Sequence, residues 1–330
     1  MNPCGHHLAI PAVAVLAILS SAVAVSGCGF GPGKASSGEA NLRVTRDFGA
    51  VPMVDATLED PTESDTVVRF LDQSADIETS YGGNFVDSID GYAGSASGDG
   101  EDDWFFFVNG YYSEIGGGER KIVPGDRIWW DYRYWNAAYR VPAVVGSWPE
   151  PFLHGYDGER YDTVVECLGE DSDCGTVVAA LGAVGVKPGV ESARAPAEHP
   201  DELRVLVGPW RSLRADPAAR QLEAGPERSG VYARFVRCRT DWRIEPVDSH
   251  GQPAGMLERA GLVAAVRAGG NQPTWVVTGT DDASVADAAA LLDADALGDR
   301  YAVATAGGAE RPLPDDGSEA GADGAPDSCR

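Results

Sequence analysis

The residues of this chain best suited to covalent chemistry are six cysteines, Cys4, Cys28, Cys167, Cys174, Cys238 and Cys329. Cys167 and Cys174 frame a short acidic turn, Glu170 to Asp173, and a disulfide between them is one expectation. Their spacing does not match the paired short spacings of a zinc ribbon, so no metal site is expected. Of the histidines, His154, His199 and His250 each sit beside Gly or Pro in a turn-like setting. There is no GxSxG elbow, no HExxH and no phosphate-binding loop, and carboxylates are too abundant for any pair to stand out. The expectation is therefore a protein that is not an enzyme and carries no cofactor. Two loops follow strand-like segments: Gly208 to Arg214 after Leu203–Val207, and Thr278 to Asp282 after Thr274–Val277. Open α/β sheets bind ligands at such carboxyl ends. Arg211 and Arg214 are weak candidates for an anion site there. The plainer reading makes them surface charges, and makes Asp281 or Asp282 a helix N-cap.

Two aromatic segments carry the strongest binding signal. Trp104 to Val108 ends in Asn109-Gly110, a pair that favours a tight turn. Pro124-Gly125-Asp126 is a second turn, and it feeds Arg127 to Trp135. Side chains alternate across a strand. Trp104, Phe106, Val108, Ile128, Trp130 and Tyr132 share one parity, assigned to a helix-covered core. The other parity holds Phe105, Phe107, Trp129 and Trp135, with Asp131 and Arg133 between them. A wide aromatic face with few charges suits a planar ligand, a second domain or a protein partner. The candidate ligand-binding residues are Phe105, Phe107, Trp129, Arg133 and Trp135.

These turn and strand residues resemble a bacterial domain of unknown function. That domain is similar to the C-terminal β domain of transcobalamin and intrinsic factor, over about residues 42–135. The resemblance implies a β-grasp-like fold and capture of a small molecule, vitamin- or corrinoid-like, outside the cell. A second resemblance lies at the N-terminus. Leu8 to Val25 is an almost unbroken run of small and aliphatic residues, and Val25-Ser26-Gly27-Cys28 resembles the lipobox of bacterial lipoproteins. Small residues fit the signal peptidase, and the Cys28 thiol carries the lipid. Met1 to His7 departs from the pattern in offering no Lys or Arg. The resemblance implies a cell-membrane protein, lipid-anchored on the extracytoplasmic face. Its implied partners are the membrane, a small molecule and a membrane transporter. With Cys28 lipidated, Cys167, Cys174, Cys238 and Cys329 remain in the mature chain, and four cysteines allow three pairings.

The elements around these residues divide the chain. Residues 1–27 read as a signal peptide and 28–41 as a flexible tether. Residues 42–140 read as an α+β, β-grasp-like domain, with strands at Leu42–Arg46 and Phe85–Asp90 and a helix over Thr66–Ser80. Residues 141–160, rich in Pro and Gly, read as a linker. Residues 161–306 read as an α/β sandwich domain, in which Met256–Arg267 is expected to be helical and Val285, Ala288, Ala289 and Leu292 mark another helix. Residues 307–330 read as a disordered acidic tail. A net charge of -25 excludes nucleic acid as a partner, because phosphates would be repelled. The competing function is a structural or adhesion lipoprotein whose aromatic face packs domains or docks a protein; a cell-wall hydrolase ranks below both.

The lipobox reading has a direct consequence. Cys28→Ser is expected to move the protein from the membrane fraction to the soluble fraction, as read by fractionation and immunoblotting. Unchanged membrane association would overturn the reading.

Overall fold

The computed structural model describes residues 31–94, 101–192, 201–269 and 271–315. Cys28, the signal segment, His199, Cys329 and the tail from residue 316 lie outside the described residues. The chain forms a mixed α+β fold, rich in strands and poor in helix. Its first unit opens with β1 (Glu39–Arg46) and β2 (Val51–Glu59), followed by α1 (Val67–Ser74), β3 (Ile77–Ser80), β4 (Phe85–Ile89) and β5 (Tyr92–Ala93). It closes with β6 (Asp102–Val108), β7 (Tyr111–Tyr112) and β8 (Arg127–Tyr134). The main sheet has the order β2-β1-β8-β6-β7. β1 and β8 run parallel at its centre, and the other pairs are antiparallel.

Thr66 caps α1, its hydroxyl accepting from the Arg69 amide at 3.3 Å. Val67, Val68, Phe70 and Leu71 bury one face of the helix. The expected helix over Thr66–Ser80 stops early. Ala75 is extended, and Ile77–Ser80 pairs with β4 instead. Ile77 and Thr79 are β-branched, and a strand partner outweighs a fourth helical turn there.

The second unit contains β9 (Asp162–Cys167), α2 (Asp171–Ala183), β10 (Gly189–Ser192), β11 (Glu202–Pro209), α3 (Trp210–Leu213) and α4 (Pro226–Ser229). There follow β12 (Ala233–Cys238), β13 (Asp241–Pro246), β14 (Ala260–Val266), β15 (Thr274–Gly279), α5 (Asp282–Ala289), α6 (Ala294–Leu297), β16 (Ala302–Ala306) and β17 (Ala309–Leu313). Seven strands form one sheet in the order β10-β9-β11-β15-β14-β16-β17. The first four are parallel, and β14, β16 and β17 add on antiparallel. β12 and β13 form a separate hairpin.

β14 corrects the expected helix over Met256–Arg267. All seven of its residues are buried between β15 and β16. A short run of Ala, Gly, Leu and Val has no period that separates a buried strand from a buried helix. The small residues serve α5, which lies across them: a Cβ at Gly261 would overlap the Ser284 carbonyl.

Three apolar layers hold the molecule together. α1 packs on one face of the first sheet, against Trp104, Phe106, Val108, Ile128 and Trp130. α2 and α5 pack on the outer face of the seven-stranded sheet, against Val205, Val207, Val263 and Val277. The third layer joins Phe107 and Trp129 of the first sheet to Trp210, Tyr232, Leu262 and Tyr301 of the second unit. The expected linker over 141–160 belongs to these layers. Val141, Ala143, Val144, Val145, Trp148 and Phe152 are buried, and the Val145 amide donates to the Tyr301 carbonyl at 3.3 Å. Two other expectations shift at their edges. Residues 32–36 of the expected tether are tied to residues 61–64 by backbone hydrogen bonds. The expected tail begins with β17, paired to β16.

Glycine sets how closely the two units meet. Gly49 has φ +86°, and a Cβ there would overlap the Asp299 carbonyl oxygen. A Cβ at Gly146 would lie 2.6 Å from the Arg300 amide and 2.7 Å from the Trp129 ring. Gly49→Ala is therefore expected to cost at least about 2 kcal/mol, read as a lower urea midpoint. An unchanged midpoint would mean that the units meet less closely than described.

Candidate functional site

The aromatic face read from the sequence lies inside the molecule. Phe107, Trp129 and Arg133 are buried between the two units, and Phe105 and Trp135 are half-buried at the margin. Phe107 and Trp129 face each other across β6 and β8. Both rings meet Tyr301, at centroid distances of 5.6 and 5.4 Å. Phe48, from the turn between β1 and β2, wedges between Tyr232 and Tyr301 at 5.0 and 5.1 Å. An open ligand face on these rings is thus corrected to a packing face. The sequence pattern identifies an apolar surface but not what covers it.

Asp131 is the polar centre of this layer. One of its oxygens accepts from the Thr45 hydroxyl at 2.6 Å and the Gly49 amide at 3.1 Å; the other accepts from the Tyr301 hydroxyl at 3.0 Å. Trp129 Nε1 in turn donates to Thr45 Oγ1 at 2.8 Å. Burial outweighs these donors and pushes the Asp131 carboxyl up to about 6. Arg133 lies 4.0 Å above the Phe105 ring and donates to the Ala138 carbonyl at 2.9 Å.

The Asn-Gly and Pro-Gly-Asp turns form a corner. Asn109 and Gly110 have φ of 52° and 79°. Asn109 Oδ1 accepts from the Arg127 amide at 2.7 Å, and its amide group donates to the Gly155 carbonyl at 2.9 Å. Asp126 accepts from the Val123 amide at 3.0 Å and lies 3.7 Å from Arg120, which also pairs with Asp157 at 2.6 Å. Burial pushes Asp126 up to about 6 as well. His154 serves the same corner, its Nδ1 lying 2.6 Å from buried Glu150. These residues hold the ends of β6 and β8 against the 150–158 segment.

The other sequence candidates are structural. Arg211 meets both oxygens of Asp282 at 2.8 and 2.9 Å, and Arg214 pairs with Glu223 at 2.7 Å. Both cations already have carboxylate partners. Asp281 caps α5, accepting from the Ser284 amide at 2.9 Å. Cys167 and Cys174 form a disulfide that joins the end of β9 to α2, and Cys238 is disulfide-bonded as well. Among the described residues, no group of three or more His, Cys, Asp or Glu is arranged to hold a metal.

The open site is a cleft of about 710 Å³ at the rim of the buried aromatic layer. Its walls come from the β1–β2 turn, the end of β8, the 249–250 turn and the β16–β17 hairpin. Phe48 forms its floor; it has φ +58°, next to Asp47 at +57°, a conformation bulky residues rarely adopt. Tyr134 and His250 meet at one wall with centroids 4.6 Å apart and ring planes tilted by 44°. Arg300 lines the cleft half-buried, with no ion pair among the described residues, whereas Arg311 pairs with Asp315 at 2.7 Å. Burial, then the charge of Asp47, raises the pKa of Asp102, the cross-strand neighbour of Tyr134. A second cavity, of about 460 Å³, lies across Arg43 and Arg127. There Arg43 is paired with Asp299 at 2.7 Å, and Arg127 donates to the Trp148 carbonyl at 2.5 Å. Of these two, the larger brings together the Tyr134 and His250 rings and a guanidinium with no ion pair among the described residues. Sequence reasoning missed it because it assembles from four distant turns, none with a motif.

Comparison with known proteins covers part of the chain. Residues 64–133 match the family model described as Domain of unknown function (DUF4430). No curated protein matches the sequence. Among solved structures, one from Ruminococcus gnavus ATCC 29149, described as that of "a putative metal binding protein", is similar at 14% identity. The match covers 30% of this chain and 98% of that one, with a TM-score of 0.24. Among the described residues, no helix is long and apolar enough to cross a membrane.

Asp131 gives the buried layer a pH signature. Its folded pKa lies above the ordinary carboxylate value, so folding takes up a proton between about pH 4 and 6. Stability from this group is present at low pH and is lost as pH rises through 6. Asp131→Asn should shrink the stability difference between pH 5 and pH 7 by about 1 kcal/mol. Urea melts of both proteins at the two pH values test this, and parallel curves would rule it out.

Proposed function

We propose that this chain is an extracytoplasmic lipoprotein, anchored through a lipid on Cys28, that binds a small molecule as an accessory to uptake. The observation that carries the reading is the cleft where the two units meet, a usual place for ligand sites. Its volume of about 710 Å³ falls within the range of pockets for drug-sized ligands. The tilted Tyr134 and His250 rings offer aromatic surface, and Arg300 offers a positive charge. The site therefore suits a flat molecule of vitamin size with an anionic group. The strand order, with a β1–β2 hairpin, a helix and a central parallel β1–β8 pair, supports reading the first unit as β-grasp-like. We read the site as a binding site.

One observation favours the second reading, a structural or adhesion lipoprotein. Phe107, Trp129 and Arg133 are consumed by packing between the units. One experiment separates the two. Tryptophan fluorescence is followed while flavin mononucleotide, folate, cobinamide and other water-soluble vitamins are added. Saturable quenching by a member of the panel, weakened at least tenfold, about 1.4 kcal/mol, by Arg300→Ala, supports the binding reading. Indifference to the whole panel removes it in favour of the structural one.

A further inference from the structure

Most large apolar side chains among the described residues are buried, but three exposed ones gather at one end of the first unit. Tyr81 is 85% exposed, Ile115 47% and Phe85 36%. Tyr81 and Phe85 meet edge to face with centroids 6.4 Å apart. Ile115 is brought to them by its own loop. A Cβ on Gly116 would lie 2.8 Å from the Asn84 carbonyl oxygen, and Asn84 donates to Glu119 at 2.9 Å. Other exposed aromatics have partners in the fold: Tyr92 lies under Arg46, and Tyr139 is set against Trp135.

This end of the unit is also where the chain enters it. The Val68 amide donates to the Gly117 carbonyl at 3.0 Å, and Thr66 bridges Lys121, which puts the 115–121 loop at the first turn of α1. The entering segment is bound to the residues just before that turn. The Ser64 amide donates to the Pro32 carbonyl at 3.0 Å, and the Glu63 amide to the Lys34 carbonyl at 3.2 Å. Pro32 is four residues from Cys28, a span of at most about 14 Å. The chain has three lysines, and two of them, Lys34 and Lys121, are exposed at this end together with Arg69. Glu63 and Glu119 accompany them, so the local surface is mixed in charge within a chain of net charge -25.

We infer that Tyr81, Phe85 and Ile115 form the face that rests on the lipid bilayer, with the basic side chains beside them at the headgroup level. Tyrosine rings suit that depth because one edge is apolar and the other polar. A lipid on Cys28 holds this end within reach of the bilayer. The inference rests on the proposed Cys28 anchor. It assigns the protein an orientation in which the cleft between the units is presented away from the point of attachment.

The test uses the lipidated protein in vesicles of phosphatidylethanolamine and phosphatidylglycerol doped with a diazirine-bearing phospholipid. After irradiation and digestion, mass spectrometry maps the lipid adducts. Adducts are expected on the peptides carrying Tyr81, Phe85 and Ile115. The variant Tyr81→Ser/Phe85→Ser/Ile115→Ser should reduce them at least fivefold with an unchanged urea midpoint. Should that variant melt early, Ile115→Ser alone is expected to lower the adducts on its own loop. If the Cys28 peptide carries its lipid but adducts are scattered or fall elsewhere, the resting face is wrong and the anchor stands. If the Cys28 peptide is unmodified and the protein washes off the vesicles, the anchor and the face fall together.

Discussion

A carboxylate without solvent is the constraint around which the two units are arranged. Asp131 sits in a strand at the centre of the first sheet, and water never reaches it. Its side chain is tolerated only because Thr45, Gly49 and Tyr301 each turn a donor toward it. Two of these belong to the first unit, and Tyr301 comes from the second. The hydrogen bonds that satisfy the buried acid are thus also the ones that fix how the units face each other. Apolar packing of Phe48, Trp129 and Tyr301 supplies the bulk of the attraction there, while the polar centre selects one alignment among many that would bury similar area. Gly49 and Gly146 follow from the same requirement, since the backbones must come close enough for Tyr301 to reach.

How far the sequence revealed this depended on whether a signal was local. The alternation in Trp104–Val108 and Arg127–Trp135 separated the two faces of the first sheet correctly, because a strand has a strict period of two. Thr66 and Asp281 were readable as helix starts for an equally local reason, a side-chain oxygen before an apolar turn. Ala260–Val266 was misread as helix because its small residues answer to α5, which crosses it from another part of the chain. The proline-rich stretch around Trp148 was misread as a linker because its composition says turn, whereas its burial depends on Trp275 and Tyr301, more than a hundred residues away. The aromatic face was recognised as sticky, but its cover is long-range. The cleft is the extreme case: Phe48, Tyr134, His250 and Arg300 share no sequence neighbourhood.

The same geography explains the distribution of charge. Interior arginines such as Arg120, Arg133 and Arg204 are held by carbonyls, carboxylates and ring faces. Arg204, for instance, is gripped by Glu166 at 2.6 Å and Asp216 at 2.7 Å. At the surface, Arg211, Arg214 and Arg234 likewise pair with carboxylates. Arg300 has no ion pair among the described residues, and it stands in the wall of the cleft of about 710 Å³.

The central position of β1 gives the fold a mechanical character. β1 is the first strand after the N-terminal segment, and it is hydrogen-bonded along both edges, antiparallel to β2 and parallel to β8. A force applied through the N-terminus meets first the 32–36 segment, bound to residues 61–64, and then a strand that cannot leave until both of its ladders yield. An edge strand attached at the same point would peel one bond at a time. A chain held by its N-terminus against flow or drag would be gripped at the strand best placed to resist extraction.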